Sequence, residues 1–506
     1  MSNDLAVSCS ASLLPERESR VSALQKLAGA AVAVSGMLAL GLTLSSLHWP
    51  LVFDAPVMHY IAARILDGAV PYRDLYDMNF PGVYLVHMLG LVLFGPSDAG
   101  FRALDLLLLA GTAVGIAVAL ARFGRWAQAF GVIGFWVYHL AAGPLNAGER
   151  DFILCLPLVW MTVAAFAYIT RGQPLMLGLA GLGLGTAVCI KPLALLLTPA
   201  LVALLWRHPA GARVRAACSL ALGFTIPAAG VAAWLAATGG LTAFIDVVEH
   251  FPWYGRLARA PLSELMEGQR APRRVAPWAL GGLGALKWAG QLDTRGAILA
   301  AGVVYGVVHY IVQAKGWEYQ LYPAVLFAVM LGAAGLGVAL RTDQHLLIVT
   351  LLTIFLVNMA TFGVKGFQGL EDYRQYWARA RAVASALAPI LEGGRTVQVL
   401  DSGRGGHVGH RVLYLLRARQ PTRFIYDFHL FHDVASPWAQ KLQGEFMEGL
   451  RARPPAAIVL FEKSWPGRSD YERLNQFPAL AAWLKSGYRL AHEGEGYRIY
   501  EARGDR

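Results

Sequence analysis

Residues 53–84 read FDAPVMHYIAARILDGAVPYRDLYDMNFPGVY, a stretch with four aspartates, Asp54, Asp67, Asp74 and Asp77, set between long apolar runs. The spacing of apolar positions predicts an amphipathic helix around 55–67. Asp54, just ahead of Pro56, fits a helix cap, whose carboxylate would accept the first free amides. Before it lies an apolar run from about Leu27 to Leu47, preceded by Arg17, Arg20 and Lys26. That run is too long for a signal-peptide core and ends in SSLHWP without a small-residue cleavage site, so it reads as a retained first span. After it comes FPGVYLVHMLGLVLFG at 80–95, short and led by Pro81. By length it either spans or lies in the interface.

The same texture continues outward. Hydrophobic residues form 56% of the 506 positions and charged residues 15%, with mean hydropathy +0.45, whereas soluble chains carry about 25% charged residues. Most of the chain must therefore face lipid. The net charge of +11 is spread singly or in short clusters between apolar runs, a pattern that sets topology and argues against nucleic-acid binding. Cys155, Cys189 and Cys218 lie inside apolar runs and Cys9 precedes the first span. No disulfide or zinc spacing is implied.

Candidate spans are about 27–48, 102–121, 127–143, 152–170, 174–190, 192–206, 216–237, 276–290, 296–313, 320–340 and 345–363. If 80–95 is a juxtamembrane helix, the loops with Arg122, Arg125, Arg171, Arg207, Arg213, Arg215, Lys287, Arg295 and Arg341 share the cytoplasmic face. The expected protein is mainly α and polytopic, with about eleven spans: a cytoplasmic tail at 1–26, a membrane domain at 27–365 with a first periplasmic loop at 49–101, and a periplasmic α/β domain at 366–506. The loop at 238–275 breaks the charge pattern with Arg256, Arg259, Arg270, Arg273 and Arg274, either because long loops escape the rule or because the cluster serves an anionic ligand.

In the soluble part TVQVLDSG, TRFIYDF and AAIVLFE read as buried strands, 408–418 and 436–452 as helices, and YRLAHEGEGYRIYEAR as a terminal hairpin. A small three-layer α/β domain follows, with no glycine-rich phosphate loop after any strand. His407, His410, His429 and His432 lack metal-ligand spacing and read as surface histidines.

The first loop resembles that of the GT-C glycosyltransferases, roughly D-E-x-x-x-x-Y-x-A-x-x-x-L-x-G-x-x-P-Y-x-D, through Asp54, Tyr60, Ala62, Leu66, Gly68, Pro71, Tyr72 and Asp74. FRALDLLLLAG at 101–111, LNAGERDFILCLPLVW at 145–160, CIKPLALLLTP at 189–199, KGWEYQLYP at 315–323 and the C-terminal RPPAAIVLFEKSW extend the likeness over nearly the whole chain. Ala55 replaces the usual Glu, and Asn79-Phe80-Pro81 stands where several branches carry Lys or His before proline.

The resemblance implies a glycosyltransferase of the protein O-mannosyltransferase or lipid A aminoarabinose transferase type, taking a sugar from a polyprenyl phosphate. It implies Asp54 as the base, its pKa raised by desolvation, with Asp151 and Glu149 positioning base or acceptor. Lys191, Lys315, Tyr319, Tyr322 and Arg256 would hold the donor phosphate, and Tyr60, Tyr72 and Asp74 the acceptor side. For Lys191 snorkelling is the plain alternative; for Trp317 and Tyr319 it is interfacial anchoring; for His250–Tyr254 with Arg256 and Arg259, an interfacial helix rather than a cover over the donor. No cofactor is required, and no metal ligands are specified. The partners implied are the lipid-linked sugar, an envelope glycan, lipid or protein, and the bilayer. A lipid-linked-sugar flippase and a non-catalytic assembly protein are the rival readings.

Overall fold

Every apolar segment read as a span is helical in the computed structural model, which describes residues 4–504 apart from 208, 269, 343, 369–371, 404, 405, 464 and 466–470. Helix α1 (Asp4–Ser46) is followed by α2 (Ala55–Leu66), α3 (Pro81–Phe94), α4 (Asp98–Leu120), α5 (Arg125–Ala141), α6 (Arg150–Arg171) and α7 (Pro174–Ile190). The segment after Lys191 is broken, with 3-10 turns on either side of α8 (Thr198–Ala203). Then come α9 (Ala210–Thr238), the short helices α10 (Leu241–Glu249), α11 (Phe251–Arg256) and α12 (Leu262–Gly268), and α13 (Arg270–Trp288), α14 (Thr294–Gln313), α15 (Tyr322–Thr342) and α16 (His345–Gln368).

Among the described residues seven helical stretches are long and apolar enough to cross a bilayer. This is a multi-pass membrane protein. With 14 residues, α3 reaches about 21 Å, short of a hydrocarbon core of about 30 Å. Helix α15 is central, buried from Tyr322 through Leu340. Helices α7 and α9 pack with almost no gap: a Cβ on Gly181 would stand 2.2 Å from the Leu220 carbonyl oxygen. Such contact suits lipid, where helices associate by close packing of small residues rather than by hydrophobic exclusion.

The C-terminal part contains α17 (Asp372–Leu387), β1 (Val397–Leu400), α18 (Val408–Leu416), α19 (Phe428–Phe431), α20 (Pro437–Ala452), β2 (Ala457–Phe461), α21 (Pro478–Gly487), β3 (Tyr488–Gly494) and β4 (Tyr497–Ala502). Its mixed sheet has the order β1-β2-β4-β3, with β1 and β2 parallel and the hairpin antiparallel. One expectation needs correction. TRFIYDF is not a strand of this sheet: Phe424 makes a single bridge to Tyr76 of the first loop, whose amide donates to the Arg423 carbonyl at 2.6 Å. The run lies between that loop, where the Tyr76 and Phe424 rings meet at 5.5 Å, and α20, where Phe424 meets Phe446 at 5.7 Å. The connection from β1 to α18 contains Gly403 and Gly406, both at positive φ.

The C-terminal part rests on the first loop through specific bonds. Arg411 donates to Asp98 at 2.8 Å and to the Leu51 carbonyl, and the Tyr60 hydroxyl donates to the Ala418 carbonyl at 3.1 Å. These contacts bring the C-terminal residues down onto the mouth of the membrane helices.

Candidate active site

Asp54 precedes α2, where a capping carboxylate would bond an early amide, yet its side chain makes no capping bond. Instead Arg150 donates to Oδ2, and His407 Nε2 lies 2.6 Å from Oδ1. The capping reading is therefore wrong for this residue. Burial opposes ionisation of Asp54, but Arg150 and His407 outweigh it and hold the carboxyl well below the usual carboxylate range. The expectation of a pKa raised by desolvation is overturned for the same reason: two positive or hydrogen-donating neighbours compensate the lost water.

Arg150 begins α6 and reaches Asn79 Oδ1 and the Tyr319 hydroxyl, both at 2.5 Å, while lying over the Tyr319 ring. Its neighbours in sequence go elsewhere. Asp151 points to His309 Nε2 at 2.5 Å and Lys191 Nζ at 3.2 Å. Glu149 is buried with neither carboxylate oxygen hydrogen-bonded. Burial, with Asp54 beside it, pushes Glu149 well above the usual carboxylate range. Asp105 secures the loop ahead of these residues by accepting the Gly148 amide at 2.7 Å, and is itself held by Arg102 and by His139 at 3.0 Å.

Asp54, Arg150, Lys191, Lys315 and Tyr319 line one cavity of about 490 Å³, closed on other sides by Asp77, Asn79, Tyr254, His407, Tyr426 and Trp465. Lys191 turns inward, donating to Gln313 at 2.7 Å as well as pairing with Asp151, so it does not snorkel. Lys315 lies 5.0 Å from the Tyr254 ring centre and donates to the Tyr254 and Leu257 carbonyls. Partial burial, with Arg259 nearby, brings its ammonium down to about 8. Asp77, bonded by Tyr84 and by Asn79 at 2.8 Å, is raised above the usual carboxylate range by burial.

The other sequence candidates lie outside this lining. Tyr322 bonds His139 at 2.8 Å beneath it, Tyr72 donates to the Asn79 carbonyl at 2.7 Å, Tyr60 faces the C-terminal part, and Asp74 accepts the Val70 amide on the loop surface. Arg256 and Arg259 are exposed, and the side chains of Arg270, Arg273 and Arg274 lie outside the described residues. The histidines are not at the surface as expected: His407, His410 and His429 are buried, and burial takes His410 to about 4 and His429 to about 3. Among the described residues no group of three or more His, Cys, Asp or Glu is placed to hold a metal. A larger groove of about 770 Å³ between α4, α6 and α7 contains Arg122, Arg171 and Arg295 but no carboxylate, and so offers no proton acceptor.

Arg150, Tyr426 and Trp465 were not singled out from the sequence, Asp77 was noted there without a role, and His407 was read as a surface histidine. Only Arg150 had a local signal there, as the cation between two acidic residues already under suspicion.

The helical membrane body, the first loop and the small terminal sheet define a GT-C-like fold. A solved structure of ArnT from Cupriavidus metallidurans, bound to undecaprenyl phosphate, is similar over 94% of this chain and 98% of that one, with TM-score 0.58 and 13% identity. The archaeal oligosaccharyltransferase AglB from Archaeoglobus fulgidus matches over 95% of this chain and 74% of its own at TM-score 0.48 and 10% identity. The mycobacterial arabinofuranosyltransferase AftD matches over 94% and 41% at TM-score 0.49 and 15% identity. No family model and no curated protein sequence matches the chain.

Proposed function

We propose that this protein is an inverting glycosyltransferase that moves a monosaccharide from a polyprenyl-phosphate donor to an envelope acceptor at the periplasmic face of the bacterial inner membrane. The observation that carries this reading is the meeting of three cations, Arg150, Lys191 and Lys315, with the ionised Asp54 in one cavity. The similar ArnT structure holds undecaprenyl phosphate, a ligand whose charged head and apolar tail suit a cationic cavity at the end of membrane helices.

The acceptor oxygen attacks the anomeric carbon as the bond from that carbon to the phosphate oxygen breaks. The electron pair leaves with the lipid phosphate, where the cations stabilise it, and the acceptor proton passes to Asp54. Asp54 starts as a weak base because Arg150 holds it. A donor phosphate that draws Arg150 away removes part of that restraint, so basicity rises once the donor is seated. Asp151 acts below the cavity, keeping Lys191 charged and directed inward.

Purified protein in lipid nanodiscs, incubated with undecaprenyl-phosphate-linked hexoses and pentoses, should release undecaprenyl phosphate as sugar is transferred. Vectorial movement of the intact lipid-linked sugar, or binding with no release, would replace this reading by a flippase or an assembly factor.

Two further outcomes are expected. Because phosphate binding uses the charged form of Lys315, kcat/KM for the donor should fall as pH rises through about 8, since that ratio follows the free enzyme's ionisation. Lys315→Arg should abolish this alkaline limb, and a limb that persists would place it on another group. For orientation, a cysteine at Gly444, exposed on α20 with no atom near its missing Cβ, should be labelled from the periplasm in a cysteine-free background. One at Gly211 should not, and labelling of Gly211 from outside would reverse the topology.

A further inference from the structure

We propose that the C-terminal domain is a working part of the active site, with His407 a positioning residue that aims the Asp54 carboxylate. This rests on the assignment of Asp54 as the proton acceptor. His407 ends the connection from β1 to α18 and is the α18 N-cap residue, its backbone held at φ 54 and ψ 39. That left-handed conformation is unfavourable for a residue with a Cβ and turns the ring away from its own helix and toward the first loop. The ring meets Phe53 and Tyr426 edge-on at 5.6 Å and lies 5.2 Å from His410. Nε2 is 2.6 Å from Asp54 Oδ1, while Nδ1 is buried with no partner among the described residues. The ring therefore acts through Nε2, whose N–H donates to the carboxylate.

The local sequence is arranged around that ring. Gly403 sits at φ +91 directly beneath it, and a Cβ there would lie 2.1 Å from His407 Cε1. Asp401 accepts the Gly403 amide at 2.7 Å and the Gly409 amide at 2.8 Å, tying both ends of the loop. A glycine-rich loop opening a helix often cradles phosphate. Here the helix-end amide of Gly409 already has an anion, the Asp401 carboxylate, and the loop serves instead to seat an imidazole. Asp54 is thereby divided: Oδ1 belongs to His407, and Oδ2 to Arg150 with the Tyr319 hydroxyl at 3.5 Å. When the donor phosphate engages Arg150, Oδ2 is the oxygen released to take the acceptor proton, and Oδ1 remains fixed.

The test uses the full-length protein in nanodiscs with whichever undecaprenyl-phosphate sugar turns over. His407→Ala should lower kcat about 100-fold, the scale of misplacing a reacting group by about an ångström, with donor KM changed less than about 3-fold. His407→Gln, whose amide N–H reaches the place of Nε2, should recover most of the loss. Gly403→Ala, which keeps the histidine but displaces its ring, should behave like His407→Ala, and His407→Ala added to Asp54→Asn should slow it no further. If the alanine variant is poorly folded, the glutamine and Gly403 variants carry the test. Wild-type kcat in His407→Ala or Gly403→Ala, or a further independent loss in the double variant, overturns the inference and leaves the glycosyltransferase reading standing. Turnover by Asp54→Asn overturns the Asp54 assignment instead, and absence of wild-type turnover on every sugar overturns both.

Discussion

Asp54→Asn should fold and insert normally, bind the donor, and lose nearly all transfer. Asparagine keeps the size, and its one oxygen can still accept from Arg150 while its NH2 faces His407 Nε2, which accepts in the other ring tautomer. What it loses is the negative charge and the capacity to take a proton. Removing a general base costs roughly 100-fold to 10,000-fold in rate. Because Asp54 makes no capping bond, no helix cap is lost, and any stability change should come from the weakened pairing with Arg150. The paired measurements are thermal unfolding in detergent and release of undecaprenyl phosphate. Wild-type turnover would move the search to Asp77, which also lines the cavity, and to Glu149 and Asp151.

Arg150→Lys should be nearly as damaging although it keeps the charge. The guanidinium bonds Asn79, Tyr319 and Asp54 at once, a planar fork that a single ammonium on a shorter stem does not reproduce. A displaced cation stabilises the departing phosphate less, and removal of one such stabilising group costs on the order of 100-fold to 1,000-fold in kcat. Lysine is the informative substitution because methionine or alanine would leave Asp54 without its buried cation, at about 3–5 kcal/mol of stability. Undiminished kcat in Arg150→Lys would assign the phosphate to Lys191 and Lys315 alone.

These two residues also show where sequence reading stops. Glu149, Arg150 and Asp151 are consecutive, so a linear reading treats them as one acidic site. At the start of α6, however, successive side chains point about 100° apart. Arg150 enters the cavity, Asp151 goes to Lys191 and His309, and Glu149 is buried without a hydrogen bond. The sign of the charge in the site is thus set by helical rotation, which no motif displays.

Periodic or local features were legible without coordinates. Runs of apolar residues marked the membrane helices because lipid tolerates a spanning backbone only when its polar groups are satisfied within the segment. The position of Asp54 ahead of a helix, the cations Lys191 and Lys315 at helix ends, and the terminal hairpin were readable for similar reasons. TRFIYDF was misread because an apolar run reports burial but not what buries it; here the first loop and α20 pack on it and it adds no strand to the sheet. His407 was misread because its partner lies at the opposite end of the chain. The sequence alone determined a polytopic helical membrane protein with an acidic first loop and a small α/β end, since each depends on patterns within tens of residues. Only the tertiary structure decided that Arg150 and His407 share the two oxygens of Asp54, because that requires three distant segments to meet where burial makes each charge need its partner.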